Sequence, residues 1–417
     1  MSEILLITVT GEDKPGLTAA ITARLGDLDV DILDVGQAVI HSYLSLGILV
    51  SLPGDSRDVL KELLFQGHEL GFSVRFSPVA ADSYDKWVGL QGRSRFILTL
   101  LARRVKASHL AQVSRVVAEH GLNIDNISRL SGRVPLEAAT DSANTGGNLS
   151  RASVEFSLRG EPDDPAAFRT AMMNICGELD IDVAVQEDSL FRRHRRLVAF
   201  DMDSTLIDTE VIDELAVRAG VGDAVSAVTT AAMNGEMEFA ESLALRVALL
   251  AGLSESVLAD VAASLPLMEG AERLFRILRQ LGYKTAILSG GFTYFGAVLK
   301  ARLGIDYVYA NELEICDGKL TGRVVPPVVD ANRKATLLAE LAEREGISLE
   351  QCIAVGDGAN DLAMLSLAGL GIAFHAKPLV KERVKQSDGQ SIANLGLDSM
   401  LYLMGLRDRD LARARQA

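Results

Sequence analysis

Two aspartates separated by one residue, Asp201 and Asp203, point most clearly to chemistry. They directly follow the apolar run Leu197–Phe200, and such a run predicts a buried parallel strand. Ligands of open α/β sheets bind beyond the carboxyl ends of strands, where Asp201 is expected to lie. Neighbouring carboxylates repel each other and need a cation or a shared proton. We expect Mg²⁺ because it prefers carboxylate oxygens, water and phosphate. The alternative interpretation is an acidic turn that caps a helix.

Two further segments could bind a phosphate group. Ser289 ends a second apolar run, and Gly290 and Gly291 are predicted to open the helix that follows. A hydroxyl and free backbone N–H groups at a helix start form a phosphate cradle, although a glycine-rich turn is also common without a ligand. Lys334 begins the predicted helix 334–345. From there it could neutralise phosphate oxygens and a nucleophilic carboxylate together, but alone it would be a surface lysine.

A third carboxylate repeats the context of Asp201. Asp357 follows the apolar segment 352–355 almost directly, within the sequence Gly-Asp-Gly-Ala-Asn-Asp. We expect Asp357 to bind the metal ion, with Asn360 near the substrate and Asp361 orienting the neighbouring groups. The alternative is a loop with a helix cap.

These residues require a parallel sheet to bring them together. We therefore predict a Rossmann-like α/β domain over residues 188–417. Residues 207–268 have helical periodicity throughout. An all-helical insert between the first two strands of the sheet is a cap, which could close over the strand ends and exclude water.

The sequence of the N-terminal half predicts two smaller modules, residues 1–83 and 94–187. Each shows the strand and helix order βαββαβ, which is a ferredoxin-like arrangement and a weak internal repeat. Residues 82–93 are predicted to be a linker. The polar segment 134–151 is predicted to be a flexible loop within the second module.

Composition narrows the class of protein and its location. The chain has 417 residues, 48% hydrophobic and 24% charged, with a net charge of −14, which argues against nucleic acid as a general partner. Its one basic cluster, residues 192–196, is interpreted as solvated. The three widely spaced cysteines predict reduced thiols and no zinc site. No apolar stretch reaches membrane-spanning length, and we expect no signal sequence and a cytoplasmic location.

Residues 195–375 resemble the haloacid-dehalogenase-like phosphohydrolase superfamily. The segments DMDSTLIDTE, AILSGG and GDGANDLAML are similar to those of its phosphoserine phosphatase family. The resemblance implies Asp201 as the nucleophile and Asp203 as the general acid and base. It also implies Mg²⁺ held by Asp201, Asp357 and the backbone carbonyl of Asp203. Ser289, the Gly290 N–H and Lys334 would hold the phosphoryl oxygens.

The same resemblance implies O-phospho-L-serine as the small-molecule substrate. Glu210 matches the family's ammonium-binding acid, and Arg246 matches its carboxylate-binding residue. Phe239 and Met233 would form walls of the pocket. Without the resemblance, Glu210 and Arg246 would be interpreted as charges on a helix surface.

The turn at residues 13–17, Asp-Lys-Pro-Gly-Leu, resembles the ACT family of amino-acid-binding regulatory modules. The resemblance implies L-serine as an effector, with Asp13 near its ammonium and the backbone near Gly16 receiving its carboxylate. It also implies a homodimer with paired N-terminal modules. The second module has residues 104–108, Arg-Val-Lys-Ala-Ser, in place of this turn, so it departs from the pattern.

Two other functions compete with a phosphoserine phosphatase. One is an amino-acid-sensing protein whose C-terminal half no longer reacts. The other is a phosphatase of another small amino-acid-like phosphate ester. The complete set of catalytic residues favours an enzyme, and the pair Glu210 and Arg246 favours a zwitterionic substrate.

Overall fold

The structure is a computed structural model. It describes residues 3–27, 29–52, 57–90, 92, 94–133, 151–233, 236–385 and 389–413, without the side chains of residues 57–59, 233, 385, 412 and 413. The predicted flexible loop 134–151 lies outside the described residues except for Arg151. The chain divides into two compact units, residues 1–93 and 94–417.

The first unit contains a four-stranded antiparallel sheet in the order β2-β3-β1-β4. Alternate residues of its central strand, Leu5, Ile7 and Val9, are buried against the helices, as expected for a sheet with one face covered. Its elements are β1 (Glu3–Glu12), α1 (Leu17–Asp27), β2 (Asp31–Ile40), β3 (Tyr43–Leu52), α2 (Arg57–Glu69), β4 (Ser73–Val79) and α3 (Ala81–Val88). The predicted linker, residues 82–93, contains α3 over most of its length.

The second unit begins with a similar antiparallel sheet in the order β6-β7-β5-β8. Its elements are β5 (Arg95–Ala102), α4 (Ala107–Glu119), β6 (Asn123–Arg129), β7 (Ala152–Arg159), α5 (Pro165–Leu179) and β8 (Asp182–Glu187). The strand order matches that of the first unit. The predicted pair of ferredoxin-like βαββαβ modules is therefore confirmed.

The rest of the second unit is built on a seven-stranded sheet in the order β12-β11-β10-β9-β13-β14-β15. Its strands are β9 (Leu197–Phe200), β10 (Lys284–Phe292), β11 (Tyr307–Cys316), β12 (Lys319–Val325), β13 (Cys352–Gly356), β14 (Leu370–Phe374) and β15 (Gln390–Ile392). The central strand β9 is completely buried and runs parallel to β10 and β13. The predicted Rossmann-like sheet is confirmed, and β12 adds an antiparallel edge strand.

Helices cover this sheet and form the insert after β9. The insert contains α6 (Val211–Ala219), α7 (Gly222–Met233), α8 (Phe239–Ala248) and α9 (Ser256–Ser264). The remaining helices are α10 (Ala271–Gln280), α11 (Thr293–Leu303), α12 (Ala331–Glu345), α13 (Leu362–Leu367), α14 (Pro378–Lys385), α15 (Met400–Leu403) and α16 (Asp408–Arg413). In the described part of the chain, no helix is both long and apolar enough to cross a membrane.

Two sequence predictions about local structure are wrong. Gly290 and Gly291 do not open a helix, because β10 continues to Phe292 and α11 begins at Thr293. The basic cluster is not fully solvated, because Arg192 is 0% and Arg195 is 4% exposed. Arg192 forms an ion pair of 2.6 Å with Glu155 of β7. The buried arginine therefore joins the second ferredoxin-like module to the entry of the catalytic sheet.

Candidate active site

The carboxyl ends of three neighbouring strands meet at one place. Asp201 follows β9, Ser289 lies near the end of β10, and Asp357 follows β13. The Asp201 N–H donates a hydrogen bond of 2.9 Å to the Val355 carbonyl, which ties the ends of β9 and β13 together. Parallel pairing therefore places Ser289 and Asp357, which are about 90 and about 160 residues from Asp201 in sequence, at one edge of the sheet with it.

Three carboxylates lie close enough to share a metal ion. Ligand oxygens of Asp201, Asp357 and Asp361 lie within 4.8 Å of one another, and these side chains are buried. Burial and the nearby charge of Asp201 raise the pKa of Asp357 to about 7. A cluster of oxygen ligands with mutual repulsion suits a hard divalent cation. The sequence predicts that Asp361 orients the groups around the metal ligands, and both its carboxylate oxygens have partners within the protein.

Lys334 is the buried cation of the site. Its Nζ lies 2.9 Å from Asp201 Oδ2 and 2.7 Å from Asp361 Oδ1. Burial alone would lower the pKa of Lys334, but the charges of Asp201 and Asp361 outweigh it and the pKa is raised. Helix α12 begins at Ala331, capped by the Asp330 side chain, so Lys334 projects from its first turns. The lysine therefore remains protonated next to the candidate nucleophile.

Asp203 has surroundings that favour its protonated form. Burial, followed by repulsion from Glu210, raises the pKa of Asp203 well above its ordinary value, although the Val211 N–H donates a hydrogen bond of 3.0 Å to Oδ1. Asp201 has the ammonium of Lys334 beside it instead. Two aspartates in such different surroundings can act as acid and nucleophile in the same reaction.

Residues 289–291 form the loop that could hold phosphoryl oxygens, here called the phosphate loop, and this loop packs tightly against Asp203. A Cβ at Gly291 would lie 2.4 Å from Asp203 Oδ2, so only glycine fits at this position. The Gly291 N–H donates a hydrogen bond of 3.0 Å to Ser289 Oγ. Buried Asn311 supports the loop, because its Nδ2 donates to the Gly290 carbonyl and its Oδ1 accepts from the Val329 N–H, both at 2.8 Å.

A cavity of about 1030 Å³ opens above these groups. Its lining includes the candidate catalytic and metal residues together with residues of the helical insert, namely Asp201, Asp203, Asp357, Ser289, Gly290, Asn360, Glu210, Phe239 and Arg246. The Phe239 ring approaches Gly290 so closely that a Cβ there would lie 2.9 Å from it. The insert thus contacts the phosphate loop, as expected of a cap. The side chain of Met233, predicted to form a wall, lies outside the described residues.

Charges of both signs face the cavity from the insert. Burial raises the pKa of Glu210. The hydrogen bond of 2.9 Å that Ser204 donates to its carboxylate lowers this pKa, but the effect of burial is larger. Burial also lowers the pKa of Arg246, and the charge of Glu210 opposes this effect. Arg246 donates a 3.3 Å hydrogen bond to the Ser242 carbonyl through Nε. The two side chains predicted to recognise a zwitterion therefore line the same cavity as the phosphate loop.

Three polar residues at this site were not predicted from the sequence. Ser204 holds Glu210, Asn311 holds the phosphate loop, and Lys377 Nζ lies 3.8 Å from Asp357 Oδ2. Ser204 lies within the quoted Asp-Met-Asp-Ser-Thr segment and could have been found there. Lys377 follows the end of β14, which is also a position where sheet ligands bind. Asn311 lies inside a strand and carries no comparable signal.

The predicted effector turn belongs to the first unit. Asp13 is exposed, and its N–H donates a hydrogen bond of 2.8 Å to the Ser42 carbonyl. Gly16 has a φ of +89°, which favours glycine, and a Cβ there would meet no atom within 4 Å. The turn is therefore accessible at both residues. Ligand binding there stays a prediction.

Comparison with known proteins identifies the class. The haloacid dehalogenase-like hydrolase family matches residues 195–369, and the ACT domain family matches residues 3–77. Phosphoserine phosphatase SerB2 of Mycobacterium tuberculosis is 41% identical over 413 residues, which cover 98% of this chain and 95% of the relative. The phosphoserine phosphatase of Streptomyces coelicolor is 39% identical over 412 residues, covering 98% and 94% of the two chains.

A solved structure agrees with these matches. The unliganded structure of a probable phosphoserine phosphatase from Vibrio cholerae has a TM-score of 0.58 and 33% identity, covering 76% of this chain and 87% of that one. The sheet, its strand-end carboxylates and the family matches define a haloacid dehalogenase-like hydrolase. Within this class, the chain belongs to the family of the phosphoserine phosphatases, so it is a phosphatase, and it carries an ACT domain at its N-terminal end.

Proposed function

We propose that this enzyme hydrolyses O-phospho-L-serine to L-serine and phosphate. The observation that carries the proposal is one cavity lined by Asp201, Asp203, Glu210 and Arg246. This cavity brings together a candidate nucleophile, Asp201, a candidate acid, Asp203, and the charged side chains of Glu210 and Arg246. The substrate carries a phosphate, an ammonium and a carboxylate. Glu210 and Arg246 would be partners of opposite charge for the ammonium and the carboxylate, and the phosphate would lie beside Asp201 and Asp203.

The reaction would proceed in two displacements at phosphorus. An Asp201 oxygen attacks phosphorus while the bond to the serine oxygen breaks, and Asp203 gives its proton to that oxygen. Asp203 then takes a proton from water. The resulting hydroxide attacks phosphorus and breaks its bond to Asp201, which restores both carboxyl groups. The raised pKa of Asp203 supports its role as the acid in the first step.

The residues of the chain stabilise the charge that develops during transfer. Lys334, the Ser289 hydroxyl and the Gly290 N–H would hold the phosphoryl oxygens. Asp201, Asp357 and the backbone carbonyl of Asp203 would bind Mg²⁺. That ion would neutralise the negative charge shared by the nucleophile and the phosphate. Asn360 lines the same cavity, where it would orient the bound ester.

Two extensions of the proposal concern regulation. L-serine would bind at Asp13 and Gly16 of the first module and lower activity. The first modules of two chains would pair in a homodimer, as ACT modules usually bind ligand between paired copies. Both extensions rest on the ACT family match and on the accessible turn.

A phosphate-release panel tests the substrate assignment. O-phospho-L-serine, O-phospho-L-threonine, glucose 6-phosphate and an aryl phosphate would be compared with the unmodified enzyme and with Arg246→Ala. We expect phosphoserine to have the highest kcat/KM. Arg246→Ala should reduce phosphoserine hydrolysis by roughly tenfold to a hundredfold, as for a lost charge-assisted hydrogen bond, and aryl phosphate hydrolysis much less. Equal losses on both substrates would show that Arg246 serves the fold or the phosphate.

A further inference from the structure

A second cavity of about 390 Å³ lies between the second ferredoxin-like module and the catalytic module. Its walls are α5 and β8 on one side, and α14 and the segment around β15 on the other. No residue that lines it also lines the catalytic cavity. In the second module, the turn between β5 and α4 corresponds to the effector turn of the first module. No lining residue of this cavity belongs to that turn, so the two places are distinct.

Hydrogen bonds across the two modules hold the walls of this interdomain cavity in place. The Gln390 side chain accepts from the Val185 N–H and donates to the Val185 carbonyl, both at 2.8 Å. Asp182 accepts hydrogen bonds of 2.9 Å from the backbone N–H groups of Ala393 and Asn394. The walls are therefore tied together by direct bonds, and a ligand would enter a space that is already formed.

The lining combines an apolar wall with charges of both signs. Met172, Val183 and Val384 contribute the apolar surface, and Lys381 and Asp180 contribute opposite charges. Among the described residues, no ion pair engages either Lys381 or Asp180. Arg169 and Asp182 also line the cavity, so the lining holds two cations and two carboxylates. Such a site suits a zwitterion better than an ion of one sign.

Helix α14 connects the interdomain cavity to the active site. Its first residues, Pro378 to Val380, line the catalytic cavity, whereas Lys381 and Val384 line the interdomain cavity. The preceding Lys377 N–H donates a hydrogen bond of 3.2 Å to the Asp357 carbonyl. A ligand that changes the position of this short helix would therefore act directly on a wall of the catalytic cavity and on the loop that carries Asp357.

We propose that the interdomain cavity binds a zwitterionic amino acid with an apolar side chain and that its occupancy changes catalytic rate through α14. Lys381 would bind the carboxylate, Asp180 the ammonium, and the wall of Met172 and Val183 the apolar side chain. The effect on rate rests on the proposed function, whereas binding does not. Coupling requires that the ligand bind two arrangements of α14 with different affinity.

Binding is measured first, with the full chain and without reference to activity. L-leucine, L-valine, L-methionine and L-phenylalanine would be titrated by calorimetry, with L-serine as the polar comparison. We expect at least one of the four to bind more tightly than L-serine. Lys381→Met should weaken that binding by at least about tenfold, as for one lost charge-assisted hydrogen bond. Arg383→Met is the matched control, because Arg383 is exposed on the same helix and lines neither cavity.

Protection of a cysteine from alkylation would show where the ligand binds. Cys176 lines the interdomain cavity, and Cys316 is exposed on β11. Alkylation by N-ethylmaleimide would be followed at both residues by peptide mass spectrometry. The amino acid that binds should slow alkylation at Cys176 and leave Cys316 unchanged. No binding by any of the four, or binding that Lys381→Met leaves intact, would overturn the proposal.

The effect on rate is then measured with the amino acid that binds. We expect it to change kcat/KM for phosphate release in the unmodified enzyme and in Arg383→Met, with the effect lost in Lys381→Met. Binding without any change in rate would overturn the coupling through α14. If no phosphate ester were hydrolysed at all, the proposed function would fail, and calorimetry and Cys176 protection would still decide whether the cavity binds an amino acid.

Discussion

The Lys334 ammonium lies 2.9 Å from the Asp201 carboxylate, and both side chains are buried. In this ion pair the negative charge of Asp201 helps to raise the pKa of Lys334, so the lysine stays protonated beside the candidate nucleophile. The same lysine contacts Asp361, which in turn accepts a hydrogen bond of 2.9 Å from the Gly358 N–H in the loop after β13. Lys334 therefore connects the nucleophile to the loop that carries Asp357.

Replacement of Asp201 by asparagine should abolish turnover while the fold is retained. The amide cannot attack phosphorus as a carboxylate does, and loss of an essential nucleophile has cost up to about 10⁶-fold in a well-studied hydrolase. Steady-state phosphate release and circular dichroism would measure activity and fold. Substantial remaining activity, or an acyl-phosphate trapped on another residue, would contradict the covalent mechanism on Asp201.

Replacement of Lys334 by methionine should reduce kcat by about 10²- to 10³-fold, the range reported for loss of one group that stabilises transition-state charge. Arg333→Met is the control, because Arg333 lies on the same helix turn but pairs with exposed Glu340. It should retain kcat. A Lys334→Met variant with normal kcat would show that the lysine serves only to compensate buried carboxylates.

Loss of the Asn311 side chain should impair every phosphate ester alike. Asn311→Ala leaves the Gly290 carbonyl and the Val329 N–H without their present partners, so the phosphate loop should lose its fixed position. We expect kcat to fall for phosphoserine and for an aryl phosphate by similar factors. A loss confined to phosphoserine would instead connect Asn311 with the amino-acid end of the substrate.

The fold and the position of the site were largely predictable from local patterns. The apolar run that ends at Asp201 has the composition of a buried parallel strand, and such strands carry their ligands at the carboxyl end. The assignment of roles to Asp201, Asp203 and Lys334 remains a prediction, although the structure brings the three side chains together.

Other features depended on contacts between distant segments and could not be predicted from local patterns. Arg192 lies in a basic stretch that resembles a solvated surface, but its partner Glu155 is 37 residues away on another module. Asn311 supports Gly290 from the neighbouring strand β11. In each case the partner becomes visible only when the strand order is known, since neither segment carries the information alone.

The contact between the second ferredoxin-like module and the catalytic module should depend on pH. Arg103 donates hydrogen bonds of 2.9 and 2.8 Å to the two Glu269 oxygens, and this interaction lowers the pKa of Glu269 from its ordinary 4.5. The pair therefore stabilises the fold above the ordinary pKa, and its contribution is lost as pH falls through the lowered pKa.

Thermal unfolding of the full chain and of Arg103→Met across this pH range would test that dependence. The difference in midpoint temperature should be present at pH 7 and disappear at acidic pH, where Glu269 is protonated in both folded and unfolded chains. A difference that stays constant with pH would mean that Arg103 contributes through packing of its side chain.

Inhibition by L-serine should depend on the turn of the first module. Asp13→Asn removes the charge that would bind the effector's ammonium, and Glu12→Gln removes an exposed neighbouring charge as a matched control. Gly16→Val adds a side chain where φ is +89°, so it should disturb the backbone that would receive the carboxylate. We expect serine inhibition to weaken in Asp13→Asn and Gly16→Val and to persist in Glu12→Gln.

Product inhibition at the catalytic cavity could imitate this behaviour and has a different kinetic signature. Serine that occupies the catalytic cavity competes with phosphoserine and raises KM, whereas serine bound at the first module can lower kcat at saturating substrate. The three variants would therefore be compared at saturating phosphoserine. If the fall in kcat remained equal in all of them, the effector would bind away from Asp13 and Gly16. If serine changed only KM, and did so equally in all three variants, the inhibition would come from the catalytic cavity, because Asp13 and Gly16 do not line it.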